Sequence, residues 1–134
     1  MKSPAPLDRS QIISPEWLSE ALSQHHGTVR VRSVEVVDTL QTQATKIRLA
    51  VDYEHAPADL PRAICVKGLL GPEAQRLLAA GISVTETRFY REIAPLTRLR
   101  VPRLIYGAID EATRHGLIIM EDVIAAGGTF LSGL

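Results

Sequence analysis

The residue whose chemistry stands out in this chain of 134 residues is Lys67, at the end of a short apolar run. Residues 63–66 are apolar and partly β-branched, and Gly68 closes the run, a pattern typical of a strand buried on both faces. An ammonium group leaving such a strand needs a carboxylate or a bound anion beside it, because an unpaired buried charge is strongly destabilising. The alternative is that the long lysine stem carries the charge to solvent.

Glu86 is a carboxylate whose position in a predicted helix allows it to face the sheet. Residues 83–94 have the spacing of a helix that Pro95 ends, and Glu86 lies within one turn of Phe89 and Tyr90. Its carboxylate can therefore face the sheet together with these aromatic residues, which are expected to belong to the core. The alternative is a solvated surface glutamate.

Five segments have the alternating or continuous apolar patterns of strands. They are residues 29–37, 45–53, 63–67, 101–109 and 115–120. The polar connection between the first two, residues 38–44, has no tight-turn glycine, and the two strands are expected to be antiparallel. We predict an α+β fold: a five-stranded antiparallel sheet with an N-terminal helix and the Glu86 helix against one face.

The N-terminal helix is predicted by its capping residues. Ser14 suits the N-cap, Pro15 the first helical position, and Trp17 anchors an apolar stripe that ends near Gly27. Residues 1–10 before it are polar and contain proline, so we expect a flexible arm.

The composition and charge of the chain indicate which partners and which cellular compartment to expect. The formal net charge is zero, which does not favour nucleic acid as a partner, and no apolar run reaches the roughly 20 residues of a membrane helix. The N-terminus lacks a secretory leader, and Cys65 is the only cysteine, so a cytoplasmic protein is expected. Of the 15 basic residues only three are lysines: Lys2, Lys46 and Lys67.

Three segments together resemble the N-terminal lobe of protein-kinase-like small-molecule phosphotransferases, namely aminoglycoside phosphotransferases, choline kinases and ecdysteroid-kinase-like proteins. The segments are residues 64–67, which end in the lysine, residues 86–95, which begin with the glutamate, and residues 117–123, which match the strand entering the interlobe hinge. The resemblance places the kinase-like lobe at residues 11–123. Residues 124–134 are then expected to be a glycine-containing linker toward a C-terminal lobe that is absent from this chain.

The resemblance assigns a nucleotide-binding role to the candidate residues. Lys67 would hold the α and β phosphates of ATP, and Glu86 would fix the lysine. The loop over the phosphates lacks the glycines usual in kinases, so the side chains of Gln41, Thr42 and Thr45 are its candidate donors. A further set of residues would approach adenine, chiefly through main-chain groups: Met120, Glu121, Asp122 and Val123.

The implied function is the nucleotide-binding half of an ATP-dependent phosphotransferase that acts on a small hydroxylated or amino-sugar-like substrate. In this family the catalytic residues and the Mg²⁺ ligands lie in the C-terminal lobe, so no catalytic or metal-binding residue is assigned here. The chain alone is expected to be inactive.

Two alternatives remain open. The chain could be a non-enzymatic interaction module that forms a homodimer through an exposed apolar hinge face around residues 119–130. It could also be an unrelated α+β domain in which Lys67 only reaches solvent.

Overall fold

The computed structural model describes residues 3–42, 44–71, 74–96 and 102–122. The helices among them are α1 (Arg9–Ile12), α2 (Pro15–Ser23), α3 (Ala74–Ala79) and α4 (Ile82–Arg88), followed by a π-helical turn (Phe89–Ile93) and a 3-10 turn (Ala94–Leu96). The strands are β1 (Arg30–Gln41), β2 (Thr45–His55), β3 (Ala63–Gly68), β4 (Leu104–Asp110) and β5 (His115–Glu121).

In this part of the chain the strands form one antiparallel sheet in the order β1-β2-β3-β5-β4. The predicted α+β class with a five-stranded antiparallel sheet is therefore confirmed. The helices that the structure describes are all too short and insufficiently apolar to cross a membrane.

Helix α2 forms as its capping residues predict. The Ser14 hydroxyl accepts a hydrogen bond from the Trp17 N–H at 3.1 Å, and Pro15 occupies the first turn. Its buried stripe packs against the sheet and consists of Trp17, Leu18, Ala21 and Leu22.

The sheet has apolar residues on both of its faces. Side chains alternate along each strand, so Ile64 and Val66 lie on one face with α2, which we call the α2 face. Cys65 and Lys67 lie on the other, which we call the Lys67 face, where Cys65 clusters with Ile118 and Met120.

The Glu86 helix, α4, covers the Lys67 face and not the α2 face, so the prediction that both helices lie against one face is wrong. The contact between Lys67 and Glu86 and the seat of α4 against Gly116 both place this helix there. The physical reason is that each apolar face of the sheet needs its own cover. Hydrophobic spacing shows that a helix must bury one of its sides. It does not show which face of the sheet that side covers.

The segment predicted to be a flexible arm is packed against the sheet where the structure describes it. Ala5 is fully buried, the Tyr106 hydroxyl donates to the Pro4 carbonyl, and the Trp17 indole N–H donates to the Ser3 carbonyl at 3.2 Å. The difference arises because two buried aromatic residues need acceptors for their polar hydrogens, and the arm supplies main-chain carbonyls.

His115 ties the same arm to the start of β5. Its ring is fully buried; Nδ1 lies 2.8 Å from the Ala5 carbonyl oxygen, and Nε2 accepts from the Leu69 N–H at 2.9 Å. These partners select the neutral ring with its proton on Nδ1. Burial lowers the pKa of His115 from its ordinary value of 6.5, because the charged ring is poorly solvated there.

The free energy of unfolding is expected to fall as the pH drops below 6.5, where an unfolded histidine takes up a proton that folded His115 resists. Replacing His115 by glutamine retains an acceptor for Leu69 but removes this titration. Chemical denaturation followed between about pH 7 and pH 5 should therefore show a smaller loss of stability in His115→Gln than in the wild type. The pKa of Asp110 is also lowered, chiefly by a hydrogen bond from Ser3. Its titration therefore reduces the free energy of unfolding only below about pH 3.8, outside the pH range of this measurement. Identical slopes for the two proteins would contradict the prediction.

Candidate functional site

The Lys67 ammonium group and the Glu86 carboxylate form an ion pair on the Lys67 face. Their side chains are 18% and 29% exposed, so the pair is partly buried and still open to a ligand. The structure therefore brings together the two residues that the sequence singles out, and Lys67 does not simply extend into solvent. A lysine fixed by a carboxylate at one side presents its remaining N–H donors to an anion.

The position of α4 depends on Gly116 in β5. The Gly116 N–H donates to the Ser83 hydroxyl at 3.0 Å, and a Cβ at residue 116 would collide with the Ser83 main chain and the Thr87 hydroxyl. The helix therefore lies in direct contact with the strand backbone. Since Ile118, two residues further along β5, is the cross-strand partner of Lys67, this close approach places Glu86 beside the lysine.

The helix after Glu86 departs from the prediction of one continuous α-helix up to residue 94. A π-helical turn follows α4, with the Ala94 N–H bonded to the Phe89 carbonyl, and Pro95 lies in the 3-10 turn beyond. Tyr90 from this turn packs on the apolar cluster of the Lys67 face. Burial, and secondarily the Glu86 charge, raises the pKa of Tyr90, so its hydroxyl stays neutral beside the ion pair.

A second ion pair crosses the Lys67 face. Arg48 Nε donates to Asp122 Oδ2 at 2.9 Å, with side chains 19% and 2% exposed. Arg48 is the cross-strand partner of Cys65, whose thiol is buried, and burial raises the pKa of that thiol to about 11. Sequence reasoning missed Arg48. The signal that could have found it is the alternation in β2, which puts Lys46 and Arg48 on the side opposite Ile47.

The three predicted loop donors are bonded to groups of the loop itself. The Thr45 hydroxyl donates to Gln41 Oε1, the Gln41 amide donates to the Thr42 carbonyl, and the Thr42 hydroxyl donates to the Ala44 carbonyl. Thr45 is also 2% exposed and, as the cross-strand partner of Gly68, lies on the α2 face. The structure therefore does not bring Thr45 to Lys67.

The predicted adenine-contacting segment continues the sheet. Met120 is buried in the cluster of the Lys67 face. The Glu121 N–H donates to the Arg103 main-chain carbonyl, and the Asp122 N–H donates to the Ala63 carbonyl at 3.1 Å. These two N–H groups are thus engaged by the sheet. Val123, the fourth predicted residue, lies outside the described residues.

The apolar hinge face predicted for a homodimer, residues 119–130, is described only at its beginning. Ile119 is fully buried in the core of the α2 face, so it is not part of an exposed surface. Residues 123–130 lie outside the described residues.

A cavity of about 490 Å³ lies elsewhere on the protein, lined by residues that include Ser3, Trp17 and Tyr106. It lies beside α2 and is therefore separated from Lys67 by the sheet.

Within the described ranges, no group of three or more histidine, cysteine, aspartate or glutamate residues could hold a metal ion.

Comparisons of the chain with protein-family models, with curated proteins and with solved structures found no match. The function must therefore be argued from the site itself.

The Lys67 face combines a charged pair with an apolar cluster. The Lys67–Glu86 pair is partly exposed, whereas Cys65, Ile118 and Met120 are 1%, 2% and 5% exposed and are covered by neighbouring side chains such as Tyr90. Between the pair and this cluster, the pair is therefore the part of the face that an anionic ligand can reach.

Replacing Gly116 by alanine is expected to destabilise the protein by about 1–3 kcal/mol, because the new methyl group forces α4 away from β5. The same displacement should separate Glu86 from Lys67. Denaturant unfolding measures the first effect, and a structure of the variant measures the second.

Gly107→Ala is the matched control. The nearest atoms to a Cβ at residue 107 belong to the flexible Arg91 side chain, at 3.2 and 3.4 Å, and this side chain can move aside. Equal losses of stability in the two variants would contradict the proposed role of Gly116.

Proposed function

We propose that this chain is the nucleotide-binding part of an ATP-dependent phosphotransferase for a small hydroxylated substrate. The observation that carries the proposal is the ion pair between Lys67 at the end of β3 and Glu86 on α4. It is the pair that the resemblance to aminoglycoside phosphotransferases and related kinases implies, and here it joins the end of a strand to a helix.

The geometry supports a phosphate ligand for Lys67. A partly exposed ammonium group with one carboxylate partner is ordered before the ligand arrives, which reduces the entropy lost on binding. The compact lysine charge suits phosphate oxygens, and phosphate binding leaves the contact with Glu86 in place.

The position of a base is taken from the resemblance, which assigns residues 120–123 to adenine. Cys65 and Met120 lie on the same face as Lys67 but are only 1% and 5% exposed, so their side chains offer no surface to the base. Because the N–H groups of Glu121 and Asp122 are used by the sheet, adenine would be bound by other main-chain groups of residues 120–123.

The remaining parts of the reaction are assigned to a C-terminal lobe. ATP binds to such enzymes with Mg²⁺, and the metal ligands and the group that orients the acceptor hydroxyl would come from that lobe. Lys67 and Glu86 fit the phosphate position, and none of the described residues is assigned as a metal ligand.

Lys67→Ala is expected to weaken the binding of ATP with Mg²⁺ by at least about tenfold, because a charge-assisted hydrogen bond to phosphate is lost. Glu86→Gln should cause a smaller loss, since the lysine charge remains and only its ordering is reduced. Isothermal titration calorimetry on the purified chain measures both affinities.

Arg32→Gln is the matched control for Lys67→Ala. Arg32 pairs with Asp52, its side chain is 61% exposed, and its replacement lowers the net charge by one, as Lys67→Ala does. Circular dichroism checks that each variant is folded. A folded Lys67→Ala protein that binds ATP as the wild type does would overturn the proposal.

A second function, an interaction module that forms homodimers, is favoured by β1. This 12-residue strand lies at the edge of the sheet and exposes Val36, Val37 and Leu40 by 37%, 52% and 46%. An edge strand with exposed apolar side chains can pair with the same strand of a second copy.

The homodimer hypothesis predicts a dimer that is unchanged by ATP and that Val37→Lys converts to a monomer, because a charge replaces the apolar contact. Sedimentation equilibrium of both proteins, with and without ATP, tests this expectation. A wild-type chain that is monomeric at all measured concentrations would contradict it.

A further inference from the structure

Two of the three lysines of this chain face each other across neighbouring strands. Lys46 in β2 and Lys67 in β3 are direct cross-strand partners, so their side chains lie on the same face. Cβ atoms at such positions are about 4.5–5.5 Å apart, close enough for both ammonium groups to contact one ligand.

These two like charges repel each other, and an anion bound between them would reduce the repulsion. Directly opposed like charges destabilise a sheet, and Lys46 is only partly exposed. Burial, and next the charge of Lys67, lowers the pKa of Lys46, while Glu86 acts in the opposite direction. The fold therefore keeps two ammonium groups next to each other on one face of the sheet.

A third positive charge on the Lys67 face, that of Arg48, has its own carboxylate partner. Arg48 is bonded to Asp122, and Asp38 of β1 is its cross-strand partner. Arg48 is thus bonded to Asp122, whereas Lys67 is bonded to Glu86.

We propose that Lys46 and Lys67 form a two-lysine clamp that binds neighbouring phosphoryl groups of one polyphosphate chain. The inference rests on the proposed function and adds a residue to it. Lysine binds phosphate as a point charge, and two such charges side by side match an anion that carries several.

The clamp also accounts for phosphate binding by a loop without glycines. The alternation in β2 turns Thr45 toward the α2 face and Lys46 toward Lys67. The contribution of the β1–β2 hairpin to phosphate binding therefore comes from the first lysine after the turn, in place of the hydroxyl groups before it.

The test measures the binding of two ligands, inorganic tripolyphosphate and ATP with Mg²⁺, to the whole chain by calorimetry. Lys46→Gln is expected to weaken both affinities about tenfold, and Lys46→Arg, which retains the charge, should lose less. Arg32→Gln, a charge-matched change outside the clamp, should bind both ligands as the wild type does.

The outcomes separate this inference from the proposed function. If Lys46→Gln binds both ligands normally while Lys67→Ala does not, the clamp is wrong and the nucleotide site remains. If both lysine variants lose tripolyphosphate binding but the wild type does not bind ATP with Mg²⁺, the clamp is supported and the nucleotide function is overturned. A wild type that binds neither ligand overturns both.

Discussion

The contact between the Lys67 ammonium group and the Glu86 carboxylate constrains the rest of the structure. It requires β3 to end beside Ile118 in the observed register and α4 to lie directly on the backbone of β5. Glycine at residue 116 makes the second condition possible, since any side chain there would occupy the space of Ser83. A partly buried ion pair contributes little net stability by itself, so packing must place these two residues together.

The two faces of the sheet differ in what they contribute: one provides most of the apolar burial, and the other carries the ion pairs. The α2 face carries the larger cluster of fully buried side chains, together with the arm and the neutral ring of His115. Among the described residues, the Lys67 face carries the ion pairs of Lys67 and Arg48 and a smaller apolar cluster of Cys65, Ile118 and Met120. Most apolar burial, and hence most of the stabilisation, is therefore separate from the residues that we assign to ligand binding.

Local patterns predicted the parts of the site that depend on neighbouring residues. The apolar run singled out Lys67, and the helical spacing allowed Glu86 to face the sheet, but the pairing of the two came from the resemblance. Ser14 identified the start of α2. Contacts between distant residues could not be predicted in this way. Arg48 and Asp122 are 74 positions apart, and His115 and Ala5 are 110 apart, so their contacts follow from the strand order.

The prediction for Thr45 shows a different limit. Its hydroxyl has suitable chemistry for a phosphate ligand, and only the strand register reveals that Lys46 is the residue turned toward Lys67. A shift of one residue along a strand exchanges the faces, so chemical type without register cannot decide which residue belongs to a site.

The burial of Cys65 has a practical consequence for observing this face. The thiolate is the form that reacts with alkylating reagents, and with a pKa of about 11 almost none of it exists at neutral pH while the thiol stays buried beside Arg48 and Asp122. Because the chain has one cysteine, its labelling rate reports how often this side of the sheet opens. Cys65 can therefore report local opening of this face of the sheet without any substitution in the chain.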